Sequence, residues 1–232
     1  MMPWRYLKIM SEYFTYLKMP KDISPASIDD ILDVYPWSKN ENREKYSYVS
    51  HYAFPVERLS AEFKDILAHG NMVVQHIDLF YRPGVGEEFD AFIHTDGHQI
   101  VRGLAKINFI IGGENNIMSW YMPSVQVTED HVKTTNVGTK YLNFKPDEVS
   151  LIDEAELNGL YVVNAGIPHG VKMTQGGIDK PRICISLVPR DAKTLANLGC
   201  NDTYVRLLTG FYKTGHVTRE YYESERNRIL GK

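Results

Sequence analysis

At 232 residues and a formal net charge of −3, the chain is long enough to bury a sizeable core and carries no overall charge that would draw it to nucleic acid or an anionic membrane. Its 43% hydrophobic and 24% charged content is that of an ordinary globular protein, and its two cysteines, Cys184 and Cys200, exclude a disulfide framework and suit a reducing compartment. No apolar run reaches the roughly 18 residues of a membrane span, and the start Met-Met-Pro-Trp-Arg-Tyr-Leu-Lys lacks an apolar leader core, so a cytoplasmic protein of one domain is expected.

In chain order, Tyr6, Met10, Tyr13 or Phe14, and Leu17 recur at helical spacing, predicting a helix over 3–18 that Pro20 ends. Ser27 precedes Ile28-Asp29-Asp30-Ile31-Leu32 as the start of a short helix with a capping-box pattern. Residues 36–54 read as loop. Pro55 opens a helix with Leu59, Phe63, Ile66 and Leu67 on one face, stopped at Gly70-Asn71. Residues 1–70 therefore form a mostly helical part expected to pack outside the strand-rich remainder.

Strand signals begin at Met72, where Val73, Gln75, Ile77, Leu79 and Tyr81 alternate with Val74, His76, Asp78, Phe80 and Arg82. Pro83-Gly84-Val85-Gly86 is a turn, and a further strand ends at His94. Val101–Ile111 has two faces, one apolar and one with Arg102, Lys106 and Asn108. Residues 116–122, 148–153, 160–164, 169–174 and 182–188 add strands, with weaker signals at 125–127 and 141–144. Eight or nine short strands with turns between them predict a mainly β sandwich or jelly roll over 72–190. Residues 191–232 form a helical extension, with helices at 194–198 and 218–230.

The chemistry sits at the end of one strand, in Phe92-Ile93-His94-Thr95-Asp96-Gly97. Residues i and i+2 of a strand share a face, so His94 and Asp96 can hold one ion together. His169 comes much later in the chain, after Asn164-Ala165-Gly166-Ile167-Pro168. Two imidazoles and one carboxylate on one face leave three metal positions open, the facial triad of non-haem iron oxygenases. The dipeptide spacing alone is weak. With 8 His and 29 acidic residues in 232, about one His has an acid at +2 by chance, and His76/Asp78 is a second such pair. What adds weight is the order: after His169 comes Arg182, opening the apolar strand Ile183–Val188. A guanidinium binds a carboxylate through two parallel hydrogen bonds and stays charged when buried.

His-x-Asp, a long gap, a His after an Asn/Gly/Pro turn and then an Arg opening an apolar strand resemble the Fe(II)/2-oxoglutarate-dependent oxygenases. The run from His94 through Asn108 to Trp120-Tyr121 resembles the 2-oxoglutarate/Fe(II) oxygenase-like proteins of marine microbes and their phages. The resemblance covers about residues 72–190. It implies a double-stranded β-helix (jelly-roll) core, Fe(II) on His94, Asp96 and His169, and the far carboxylate of 2-oxoglutarate on Arg182. It implies a dioxygenase that uses O2 to hydroxylate a small-molecule or peptidyl substrate, releasing succinate and CO2. Asn108 is expected near the co-substrate, with Lys106 as a second cation; Tyr81 and Tyr121 can each donate a hydroxyl to it, although a core or rim tyrosine is the favoured reading of either. Because Asp96 is present, the halogenase variant of the site is disfavoured.

Other readings stay open at this point. His94/Asp96 can be a plain hydrogen-bonded pair, His98 a solvated loop residue, and Arg182 half of a strand-end salt bridge. The polar face with Arg102, Lys106 and Asn108 can line the barrel or face water. Two further classes fit the same residues: a cupin-like metalloenzyme without 2-oxoglutarate, and a non-catalytic jelly roll serving as a binding or structural module.

Overall fold

The structure is a computed structural model and describes residues 15–21, 23–34, 50–82, 93–112, 114–134, 138–174, 182–191, 193 and 197–232. Among these residues, twelve strands make two six-stranded antiparallel sheets. One has β1 (Tyr16–Lys18), β10 (Gly159–Asn164), β5 (Ala105–Ile111), β12 (Arg182–Arg190), β3 (Val73–Arg82) and β2 (Ser50–Ala53), side by side in that order. The other has β7 (Val132–Thr134), β8 (Lys140–Phe144), β4 (Ile93–His94), β11 (His169–Thr174), β6 (Glu114–Pro123) and β9 (Val149–Glu156). Within them, β10-β5-β12-β3 faces β4-β11-β6-β9, and along these eight strands the chain changes sheet at every step but the one from β6 to β9. That alternation is the winding of a double-stranded β-helix, the jelly roll expected from the strand count.

The alternation of side chains along each strand decides what faces inward. On β5, Ala105, Ile107 and Phe109 join a cluster with helix residues Phe63, Ile66, Leu207 and Phe211. Ile110 instead meets Met118, Trp120, Tyr161, Val163 and Cys184 between the sheets. Lys106 and Asn108 lie on the Ile110 side of the pleat. β5, β10 and β12 are buried on both faces, which is why they read as nearly unbroken apolar runs.

Four helices are described: α1 (Ile28–Val34), α2 (Ala61–His69), α3 (Cys200–Lys213) and α4 (Arg219–Leu230). Ile31, Phe63, Ile66 and Leu67 of the first two pack with Ile77, Leu79 and Ile185 on the outer face of the first sheet. The Ser27 and Ser60 hydroxyls accept from Asp30 N and Phe63 N at the two helix starts.

Several expectations need correction. Tyr16–Lys18 is a strand paired with β10, not the end of a helix, and residues 3–14 lie outside the described residues. Ser50–Ala53, read as loop, is a strand on the edge of β3. The segment before β3 thus supplies two edge strands as well as helices. The helix expected from Pro55 opens with a 3-10 turn and becomes α-helical only at Ala61. Val101–Leu104 is a turn ahead of β5, 125–127 is not a strand, and Val132–Thr134 is one. Asn197 makes an isolated bridge to Arg190, whereas a helix was expected; residues 194–196 and the 83–86 turn lie outside the described residues. The largest omission is α3. Its buried Thr203, Tyr204, Leu207, Leu208 and Phe211 are a helical stripe, interrupted to the eye by Gly210 and β-branched residues. No helix among the described residues is long and apolar enough to cross a membrane.

Candidate metal centre

His94 and His169 face each other as register partners of β4 and β11, their rings 4.5 Å apart. β4 ends at His94, and Asp96 sits in the bend beyond it, tied by its N–H to the Ala165 carbonyl (3.0 Å). The 95–104 loop therefore docks on the 164–167 turn that delivers His169. Val101 N donates to Gly166 O (2.8 Å), and Leu104 O accepts from Ala165 N (3.0 Å). Thr95, fully buried on the other side, donates to Gly97 O (2.6 Å) and accepts from Leu142 N (3.3 Å).

Asp96 Oδ1 lies 3.5 Å from His94 Nε2 and 3.8 Å from His169 Nε2. One ligand atom from each of the three residues falls within 4.8 Å of the others, the grouping a single ion needs. His169 Nδ1 lies 2.9 Å from the Ile167 carbonyl. An N–H there fixes the tautomer and leaves Nε2 as the donor atom toward the centre. Burial, helped by neighbouring His94, pushes the His169 pKa down to about 4, so the imidazole is neutral at pH 7. Burial pushes the Asp96 carboxyl up, but Lys106, His94 and His169 outweigh it and hold it well below the usual carboxylate range. Two imidazoles and one carboxylate suit a divalent transition metal, so the residues present fit the ion the sequence implies.

The barrel interior beside the triad is polar and layered. Lys106 Nζ reaches Asp96 Oδ2 at 2.9 Å and Asp78 Oδ2 at 3.5 Å. One layer along the barrel, Ser186 is the register partner of both Asp78 and Asn108, and its hydroxyl donates to Asn108 Oδ1 (2.7 Å). Arg182 lies four residues further along β12, about 13 Å at strand rise. It is buried, and its Nε has no hydrogen-bond partner among the described residues. Burial raises the Cys184 thiol pKa, while Arg182 and then Lys106 lower it, so both cations lie near that sulfur.

Of the residues singled out in the sequence, His94, Asp96 and His169 come together, and Lys106, Asn108 and Arg182 share the interior. Arg102 does not: it is exposed in the turn before β5, and His98 is exposed too. Tyr81 packs with Ile77 and Leu79 in the helix-side core, on the opposite face of β3 from Asp78. Tyr121 packs against Ile93, Leu142 and Phe144, on the far side of β4 from His94. Neither tyrosine is brought to the triad, because the pleat turns both outward. His76, half-exposed, stands 3.5 Å from Asp78 and joins no ligand group among the described residues.

Sequence reasoning passed over two residues. Asn164, fully buried, accepts from Gly166 N (3.2 Å) and donates to Arg102 O (3.4 Å), while its own carbonyl accepts from Trp120 Nε1 (3.0 Å). Tyr141 sets its ring edge-on to His94 at 6.5 Å. The Asn in the turn before His169 was a usable signal for the first, whereas nothing in the sequence marked the second.

No family model matches the sequence, and no curated protein does. Among solved structures, the chain is similar to HygX from Streptomyces hygroscopicus with nickel and 2-oxoglutarate bound, at TM-score 0.41 and 10% identity over 81% of this chain and 86% of that one. HygX with iron bound gives 0.38 and 10% over 80% and 86%. Peruvianin-I, a cysteine peptidase from Thevetia peruviana latex, gives 0.29 and 13% over 78% and 91%. Likenesses this faint, spread over unrelated chemistries, carry no functional argument. The fold rests on its own strand order and the site on its own geometry.

Proposed function

We propose that this chain is an Fe(II)- and 2-oxoglutarate-dependent dioxygenase acting, in the cytoplasm and as a single domain, on a small-molecule or peptidyl substrate. The observation that carries the reading is the triad at one end of the barrel with a buried arginine deeper in the same interior. His94, Asp96 and His169 would hold the metal. When bound, Fe(II) supplies a centre at which 2-oxoglutarate and O2 yield succinate, CO2 and an oxidised substrate, commonly by hydroxylation.

The protein's part is binding and exclusion. Arg182 pairs with the 5-carboxylate, offering the buried Nε–H that has no other partner among the described residues. Asn108 and Ser186 line the space between. Charge supports the same ligand class. Beside the triad, on β3, β5, β12 and the 95–104 loop, Asp78 and Asp96 match Lys106 and Arg182 in charge. A divalent cation and a dianion entering together keep that balance, and either alone breaks it. Apolar walls from Trp120, Tyr161 and Val163 keep bulk water from the reacting centre.

The test is turnover of 2-oxoglutarate without added substrate, read as succinate formed under O2 with Fe(II). Slow succinate release by the native protein, lost in Asp96→Ala, supports the reading. Metal binding without any use of 2-oxoglutarate would favour a cupin-like enzyme, and binding of neither would favour a non-catalytic jelly roll.

A further inference from the structure

The Lys106–Asp78 pair belongs neither to the ligand set nor to the carboxylate grip of Arg182, yet it sits against the centre. Asp96 divides its carboxylate: Oδ1 faces the imidazoles, and Oδ2 takes the Lys106 ammonium at 2.9 Å. We propose that Lys106, anchored by Asp78, is an electrostatic latch that opposes binding of a divalent cation alone and makes it depend on the dianionic co-substrate. The inference rests on the functional reading above and adds a regulation of that site.

An ammonium on one oxygen of a carboxylate stands only a few ångströms from a cation on the other. Lys106 and His169 are buried and Asp96 is only 22% exposed, so water and salt screen that repulsion less than they would at the surface. Lys106 is held there. Its stem rises from the inward face of β5, Asp78 lies 3.5 Å from its Nζ, and the Phe80 ring flanks it at 5.9 Å. A metal arriving alone therefore meets a fixed positive charge. A dianion beside the metal, between Lys106 and Arg182, turns that charge from a cost into an attraction. Asp78 moderates both effects, because it partly cancels the ammonium.

The two variants should therefore act with opposite signs. Lys106→Met removes the repelling charge. Cobalt(II), an oxygen-tolerant probe, should bind the full-length variant about tenfold or more tighter than native protein without 2-oxoglutarate. The cobalt-loaded variant should bind 2-oxoglutarate about tenfold or more weaker. Asp78→Asn leaves the ammonium with Asp96 as its one carboxylate partner among the described residues, so cobalt alone should bind more weakly and 2-oxoglutarate more tightly. A merely structural role would weaken both ligands in both variants. Calorimetric titrations of each protein, with and without 2-oxoglutarate, decide this, with Lys106→Gln and Asp78→Ser as substitutes should either first variant fail to fold. Cobalt affinities that move in the same direction in the lysine and aspartate variants overturn the latch. Native and His169→Ala proteins binding cobalt equally would overturn the metal-site reading itself, and the latch with it.

Discussion

Under the proposed function, Arg182 is the side chain whose removal should separate ion from co-substrate. It is none of the three metal ligands, yet it lies buried in the same interior with an Nε that has no hydrogen-bond partner among the described residues. Arg182→Ala should leave Fe(II) binding intact and cost about 2–5 kcal/mol in 2-oxoglutarate binding, as broken buried charge pairs do. That is roughly thirtyfold or more in affinity. Anaerobic titration of the iron-loaded variant measures it, and unchanged affinity would move the anchor to Lys106. His169 gives a second expectation, for metal-free protein. Its pKa lies at about 4 in the fold against 6.5 unfolded, because burial disfavours the charged ring. The unfolded chain takes up a proton below about pH 6.5 that the folded chain refuses, so stability falls as pH drops from 6.5 toward 4. The loss is about 3 kcal/mol when complete, and the low-lying Asp96 carboxyl adds to it only below about pH 4. Urea midpoints between pH 7 and 4 should show this slope, and His169→Gln should flatten it. A native slope no steeper than the variant's would contradict the assignment.

At the scale of elements, the site is two loops docked on each other. A Cβ on Gly166 would stand 1.9 Å from the Val101 carbonyl oxygen and 2.7 Å from Leu104 Cβ, with backbone on one side that cannot swing away. Gly166→Ala should push the 95–104 loop off the turn before His169, destabilise the fold by about 1–3 kcal/mol, and weaken metal binding at a site it does not touch. Thermal unfolding and cobalt titration of the variant check both parts. The ends of this junction were legible in the sequence: His94, Asp96 and His169 are marked by spacing and by a turn of Asn, Gly and Pro. The docking was not, since Asp96–Ala165 and Val101–Gly166 are backbone bonds between segments far apart in the chain, which no local pattern encodes. Sidedness was half legible. Alternation along β5 put Lys106 and Asn108 on one face, but only the second sheet shows that this face is the interior. The same pleat sends Tyr81 and Tyr121 outward, where they are core and rim side chains and not donors to the triad's interior. Gly70 was read correctly as a helix stop but for another reason. Its φ is ordinary at −76°, Asn71 takes the left-handed turn at 53°, and Gly70 is small because a Cβ would meet Arg206 O at 2.5 Å.

Over the whole molecule, the jelly roll carries the site between its sheets, and the helices bury the outer face of one of them. α2 and α3 cross closely at Gly70 and Gly210, where a Cβ on the latter would lie 2.1 Å from the Ile66 carbonyl oxygen. Gly210→Ala should cost about 1–3 kcal/mol in stability yet leave metal affinity unchanged, because the crossing lies on the far side of the sheet from the triad. Chemical denaturation beside cobalt titration separates those effects, and a loss of metal affinity would couple the helices to the site. The central claim concerns the barrel's interior: one metal on His94, Asp96 and His169, with 2-oxoglutarate beside it. The most direct measurement is an anaerobic optical titration of the Fe(II)-loaded protein with 2-oxoglutarate. The expected result is a visible charge-transfer band that saturates at one equivalent, persists in His76→Ala, and is lost in His94→Ala, Asp96→Ala and His169→Ala. No band in the native protein, or a band that survives the triad variants and disappears in His76→Ala, would contradict it.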